Sequence, residues 1–333
     1  MTQTNSQPSA IRQRIPLRLD VGPVMAGESL LEIAAEVFWP HIPTEPALAA
    51  FCIPGGGLNR RYYHLEAADG TLDFNFAEQM AQRGIITVAI DSLGIGDSSR
   101  PHNGHALTPD VLCAANGRAV DIIQTLLRDG LLGGLPPLPA VKTIGVGHSM
   151  GAMLTVMQQA QFEQHAALAL LGFSARGLPQ ALSDEEQRFA GDSAAARANI
   201  VRLARLRSPD PYPLLPAMAR EGDAYTGQGA DARMVSAVRQ AFDPLLITAG
   251  LFSMLPGSCL PECESLQIPI FLGVGDRDIA GTPHAIPTAF LRTSDITLLV
   301  LPATAHSHFL FSTTPRLCER IAGWAHHLLI EQA

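Results

Sequence analysis

Short apolar or alternating runs recur along the chain: Ile15 to Asp20, Leu31 to Phe38, Ala47 to Ile53, Ile85 to Ile90, Val141 to Val146, Ala166 to Phe173, Ile268 to Val274 and Ile296 to Leu301. Runs of this length, bounded by Gly, Pro and polar residues, predict strands. Longer stretches of helical spacing lie over Asp73 to Arg83, Thr108 to Arg128, Gly151 to Phe162 and Pro315 to Ile330. Gly84 is placed to stop the first helix. Thr108 is placed to cap the second, with Pro109 at its first position. Strands that are apolar on both faces and alternate with helices predict an α/β protein: a mostly parallel sheet with helices on both faces. The first three runs have no helix between them and predict an antiparallel start to that sheet. The alternation breaks after Phe173 and resumes at Ile268. Between them lie helical patterns and Pro-rich turns without a clear strand. The expected organisation is a flexible N-terminal tail over 1–14, a core over 15–174 and 266–333, and an inserted, mainly helical cap over 175–265.

Composition narrows the function. Of 333 residues, 47% are hydrophobic and only 16% charged, against about 25% charged in an ordinary domain. Such a chain can bury a large core and is not disordered. With 23 basic and 31 acidic residues, the net charge is −8 and there are no basic runs. Nucleic acid and anionic membrane surfaces are therefore not expected partners. No apolar run approaches the roughly 18 to 20 residues of a membrane helix. The polar stretch Met1 to Ala10 lacks the pattern of a secretory signal, so a cytoplasmic location is expected. Cys52, Cys113, Cys259, Cys263 and Cys318 are odd in number and scattered, as suits idle thiols in a reducing compartment. Cys259 and Cys263 lack a second ligand pair, so a zinc site is not expected there; no cofactor is expected.

The chemistry centres on Gly147-His148-Ser149-Met150-Gly151. An apolar strand ends at Gly147 and a helical pattern begins just after Ser149. A turn that tight strains the serine backbone and lifts its hydroxyl clear of the sheet, while the flanking glycines leave room for neighbouring backbone. A serine hydroxyl is a weak nucleophile and needs a base. Histidine can take the proton and later return it to the leaving group, and a buried carboxylate can hold the histidine tautomer.

On these residues the chain resembles the α/β-hydrolase superfamily, in its serine-nucleophile, cap-bearing, esterase/lipase-like branch. Asp91-Ser92-Leu93-Gly94-Ile95-Gly96-Asp97-Ser98 resembles that superfamily's Asp-x-x-Gly-x-Gly-x-Ser loop. Pro54-Gly55-Gly56-Gly57 stands where the family carries a His-Gly or His-Gly-Gly-Gly oxyanion loop, with Pro54 in place of the His. Gly275-Asp276-Arg277-Asp278 resembles the turn bearing the acid. Pro302-Ala303-Thr304-Ala305-His306 resembles the Pro-x-x-Gly-His segment bearing the base, with Ala305 in place of Gly. The resemblance implies an α/β-hydrolase fold and a triad of Ser149, Asp278 and His306. It also implies an oxyanion hole from the N–H of Met150 and that of Gly56 or Gly57. In the acid turn, Asp278 rather than Asp276 is expected to reach the base. In an extended chain His306 and His308 point to opposite sides, so only one can face Ser149.

Other residues have weaker claims. Asp91 could serve a variant triad but is better read as an anchor of its loop. His102 and His105, spaced His-x-x-His, read as solvated or pocket-rim residues. His148 reads as a packing or hydrogen-bonding residue, and no motif surrounds His284. Tyr62, Tyr63, His308, Phe252 and Met254 are candidate pocket residues, with core packing the equal alternative for the two tyrosines and a role in holding the cap together the alternative for Phe252 and Met254. Phe242, Leu245, Leu246, Leu251 and Leu255 belong to the same apolar part of the cap. The expected activity is hydrolysis of an ester or related acyl compound, with a small-molecule acyl substrate and a homo-oligomer left open. Alternatives are a thioesterase, lactonase, carbon–carbon bond hydrolase or acyltransferase with the same triad, and a non-catalytic ligand-binding protein on the same fold. Dehalogenases and epoxide hydrolases carry Asp at the elbow and are disfavoured.

Overall fold

The computed structural model describes residues 8–28, 30–215 and 226–331. Eight strands form one sheet: β1 (Ile11–Asp20), β2 (Glu32–Pro40), β3 (Leu48–Ile53), β4 (Ile86–Ile90), β5 (Lys142–His148), β6 (Ala167–Leu171), β7 (Ile270–Gly275) and β8 (Ile296–Leu301), in the order β1-β2-β4-β3-β5-β6-β7-β8. Only β1–β2 and β2–β4 pair antiparallel, and every other pair is parallel. The expected antiparallel start is thus shorter than the sequence suggested. β4 inserts between β2 and β3, and β3 joins the parallel part. Strand β1 begins at Ile11, inside the stretch read as a tail. It is an edge strand with alternately exposed side chains, and its polar face hides its period. Residues 1–7 of that stretch lie outside the described residues.

The central strands β3, β4, β6 and β7 are buried throughout. Alternate side chains enter two separate cores. Ala49, Phe51 and Ile53 of β3 face one, and Leu48, Ala50 and Cys52 face the other. The first core lies under α2 (Pro109–Asp129) and α3 (Met150–Phe162). The second lies under α1 (Phe76–Ala81) and the closing helix Thr314–His326. Helix α2 starts as expected, with the Thr108 side chain accepting from the Val111 N–H and Pro109 in its first turn, and ends at left-handed Gly130. Helix α1 starts later than the predicted Asp73, at Phe76, where the Asn75 side chain caps it by accepting from the Glu78 N–H. All five cysteines are buried and free.

Between β6 and β7 the described residues hold helices and turns but no strand. Among the described residues there, the longest helices are Ser193–Arg207 and Ile247–Met254. No described helix is long and apolar enough to cross a membrane.

Candidate active site

The turn from β5 into α3 holds Ser149 at φ 54° and ψ −121°, a conformation non-glycine residues rarely adopt. Such strain persists only where the surroundings enforce it. Here the Ser149 N–H donates to the Leu171 carbonyl at 2.8 Å, and its own carbonyl accepts from Ala152 at 2.9 Å. The flanking glycines allow the close approach. A Cβ on Gly147 would collide with the Ala152 backbone, and one on Gly151 with the carbonyl oxygens of Ile53 and Pro54.

The Ser149 hydroxyl donates to His306 Nε2 at 2.8 Å, and His306 Nδ1 donates to Asp278 Oδ1 at 2.7 Å. The three residues come from the ends of β5, β7 and β8, which share one edge of the parallel sheet. Asp278 has a fully buried side chain, whereas Asp276 is exposed and accepts from the Thr304 N–H at 3.2 Å. Burial alone would raise the Asp278 carboxyl. The charge of His306 and the hydrogen bonds of His306 and His308 outweigh it and hold the carboxyl well below the usual range.

Met150, at the first position of α3, has no carbonyl partner for its N–H within its own helix. Gly56 and Met150 line one cavity with Ser149. Gly57 does not line it. That residue makes a left-handed turn at φ 76°, and its carbonyl accepts from the Asp243 N–H. The cavity measures about 370 Å³, with walls that include Leu178, Leu245, Ile247, Met254 and Ile279. Arg207 stands at its edge with its charge taken up by Glu186 at 2.7 Å.

Several expected pocket residues lie elsewhere. Tyr62 and Tyr63 are fully buried beneath the site. Tyr62 packs on His148 and Phe309, while the Tyr63 hydroxyl donates to the Ile53 carbonyl at 2.9 Å. Phe252 is fully buried, with the Arg197 guanidinium over its ring. Leu246, Leu251 and Leu255 are buried in the core and Phe242 pairs with Leu58, so Leu245 and Met254 are the residues of that group that reach the cavity. Leu178, Ile247 and Ile279 were not singled out from the sequence. Ile279 could have been, because it directly follows Asp278.

His308 is not on the cavity wall either. The chain is not extended at this point: the His308 N–H bonds back to the His306 carbonyl at 3.1 Å and a 3₁₀ turn follows. Both histidines therefore reach Asp278, His308 through its Nε2 at 2.9 Å, while His306 alone of the two reaches Ser149. His148 donates from Nε2 to the His306 carbonyl at 2.8 Å. Burial, then His306 and His308, push its imidazole well below the usual value.

Asp91 is fully buried. Its Oδ1 accepts from the Arg60 N–H and its Oδ2 from the Asp97 N–H, with the Arg60 guanidinium on Oδ2. That anchors the loop and leaves neither oxygen aimed at a histidine. His105 is buried on the Ser208 carbonyl, whereas His102 and His284 are exposed. Among the described residues, no group of three or more His, Cys, Asp or Glu is arranged to hold a metal.

A strained serine at a strand–helix turn, hydrogen-bonded in series to histidine and aspartate, on this strand order, defines a class of protein before any comparison. The profile of the alpha/beta hydrolase family matches residues 50–320, and the chain belongs to that family. No curated protein matches it by sequence. Among solved structures it is similar to a thermophilic esterase from Thermogutta terrifontis, with 17% identity, 93% of this chain and 98% of that one covered, and a TM-score of 0.57. It is likewise similar to the thioesterase domain from the curacin biosynthetic pathway, with 17% identity, coverage of 94% and 99%, and a TM-score of 0.55. A monoacylglycerol lipase from Paleococcus ferrophilus shares 16% identity over 91% and 99% of the two chains, with a TM-score of 0.56. At these identities the likeness is one of fold.

Proposed function

We propose that the protein is a serine hydrolase that cleaves an ester or related acyl compound through an acyl-enzyme. The observation that carries this reading is the unbroken chain from Ser149 Oγ to His306 Nε2 and from His306 Nδ1 to Asp278, at 2.8 and 2.7 Å. Ser149 attacks the carbonyl carbon while His306 takes its proton, and Asp278 stabilises the imidazolium that forms. The oxyanion develops against the N–H groups of Met150 and Gly56. His306 returns the proton to the leaving group, and the acyl group stays on Ser149. Water, deprotonated by His306, then attacks the acyl carbon, and His306 returns that proton to Ser149 Oγ as the acid leaves.

The apolar cavity of about 370 Å³ beside Ser149 suits an apolar acyl group. The segment between β6 and β7 acts as a cap, since Leu178, Leu245, Ile247 and Met254 on the cavity wall come from it. The test is labelling by a fluorophosphonate, together with turnover of p-nitrophenyl esters of graded chain length, thioesters and lactones. The wild type should be labelled at Ser149 and Ser149→Ala should not. A wild-type protein that resists the probe but binds acyl ligands would overturn the reading in favour of a non-catalytic binding protein.

A further inference from the structure

The Asp278 carboxylate accepts more hydrogen bonds than the His306 partnership needs. Its Oδ1 accepts from His306 Nδ1 at 2.7 Å and from the Ala280 N–H at 3.0 Å, and its Oδ2 accepts from His308 Nε2 at 2.9 Å. The side chains of Asp278 and His308 are both fully buried. A carboxylate only accepts, so the proton of this bond sits on His308 Nε2. His308 Nδ1 is buried with no hydrogen-bond partner, so the ring acts as a single donor aimed at one oxygen. The backbone holds the ring there. The Thr314 hydroxyl donates to the His308 carbonyl at 3.1 Å, and the His308 N–H donates to the His306 carbonyl.

We propose that His308 is a positioning residue for hydrolysis, acting through Asp278. A carboxylate turns easily about its last torsion, which is broad and two-fold. Donors on both oxygens fix that rotation and keep Oδ1 on His306 Nδ1. Without His308, Oδ2 is a buried anionic oxygen with no side-chain donor. The carboxylate then turns or recruits water, and the His306 ring loosens from Ser149. The other titratable groups packed around this carboxyl are His306, His148 and Tyr62. On the same loop, Asp276 accepts from the Thr304 N–H and Arg277 donates to the Gln228 carbonyl.

The inference rests on the reading of Ser149, His306 and Asp278 as the reacting groups, and the test separates the two. Fluorophosphonate labelling rates, kcat and KM are measured for the wild type, His308→Leu and His308→Gln, with thermal unfolding alongside. His308→Leu removes the donor while filling the space, whereas the Gln amide can still donate toward Oδ2. The expected loss in His308→Leu is about ten- to a hundredfold in labelling rate and kcat, the weight of one hydrogen bond to a buried charge. KM should change little. His308→Gln should recover most of the rate. If His308→Leu does not fold, His308→Asn replaces it, its amide being too short to reach Oδ2. A wild type inert to the probe overturns the hydrolase reading and this inference with it. A labelled wild type overturns this inference alone if the variant lacking the donor reacts equally fast. It does so too if that variant slows and His308→Gln does no better.

Discussion

Replacing Asp278 by Asn keeps the shape of the site and removes one charge, so its cost follows from the geometry. In the proposed mechanism the ion pair between Asp278 and His306 forms as His306 takes the Ser149 proton. With charge centres roughly 4 Å apart and an effective dielectric constant of about 20, that pair is worth about 4 kcal/mol, or about a thousandfold in rate. The amide then has no good orientation. The Ala280 N–H at 3.0 Å favours the amide oxygen at the Oδ1 position. That turns the amide NH₂ toward His308 Nε2, donor against donor. The opposite orientation gives the NH₂ to His306 Nδ1 and moves the ring proton to Nε2, which can no longer accept from Ser149. Asp278→Asn should therefore lower kcat by about a thousandfold or more, with KM nearly unchanged. Asp276→Asn, at an exposed carboxylate that accepts one backbone N–H, should stay within about fivefold of the wild type. The assay is steady-state hydrolysis of a p-nitrophenyl ester, with circular dichroism melts to show that both variants fold. Retention of more than about a tenth of the wild-type kcat in Asp278→Asn, or a larger loss in Asp276→Asn, would refute the reasoning.

Ser149→Ala should cost several powers of ten in turnover while leaving the melting temperature close to wild type; more than about a tenth of wild-type activity would remove Ser149 from its role. Gly56→Val should depress kcat more than it raises KM, because the new Cβ lies 2.8 Å from Leu245 Cδ1 and crowds the cavity beside Met150. Gly57→Val should instead act through stability, since φ 76° disfavours any β-branched residue there; equal melting temperatures for the two variants would contradict this split. Burial lowers the His165 imidazole from 6.5 to about 3, so the unfolded chain binds a proton that the folded chain does not. That contribution to stability is complete above pH ~6.5 and is lost as the pH falls toward ~3. His165→Gln should flatten the pH dependence of urea unfolding in that window, and an unchanged slope would count against a neutral buried ring.

The elbow could be read from sequence because its requirements are local. Gly147 and Gly151 are demanded by backbone atoms a few residues away or directly across the neighbouring strand, and Ser149 stands between them. Helix α2 was legible for the same reason, with Thr108, Pro109 and Gly130 acting on their own turns. Strand pairing was not. Nothing local to β2 and β3 shows that β4 inserts between them, because that contact depends on a strand still to come in the chain. Nor did the start of β1 stand out, since only one of its faces meets the protein. The cap misled in another way. Phe252 and Met254 look alike as apolar residues of a short helix, yet the helical turn sends one into the core and the other to the cavity.

By itself, then, the sequence determined the α/β class and the strained serine through short-range backbone demands and apolar periodicity, while Asp278 and His306 were expected from the resemblance of their turns to a known family. The tertiary structure alone decided how those residues meet. Ser149 and His306 are 157 positions apart, and Asp278 and His308 are 30 apart. Which ring nitrogen faces which oxygen depends on the path of two loops that pack against each other only once the sheet has formed. The tight turn at His306, which the spacing of two histidines could not disclose, brings both rings onto one carboxylate.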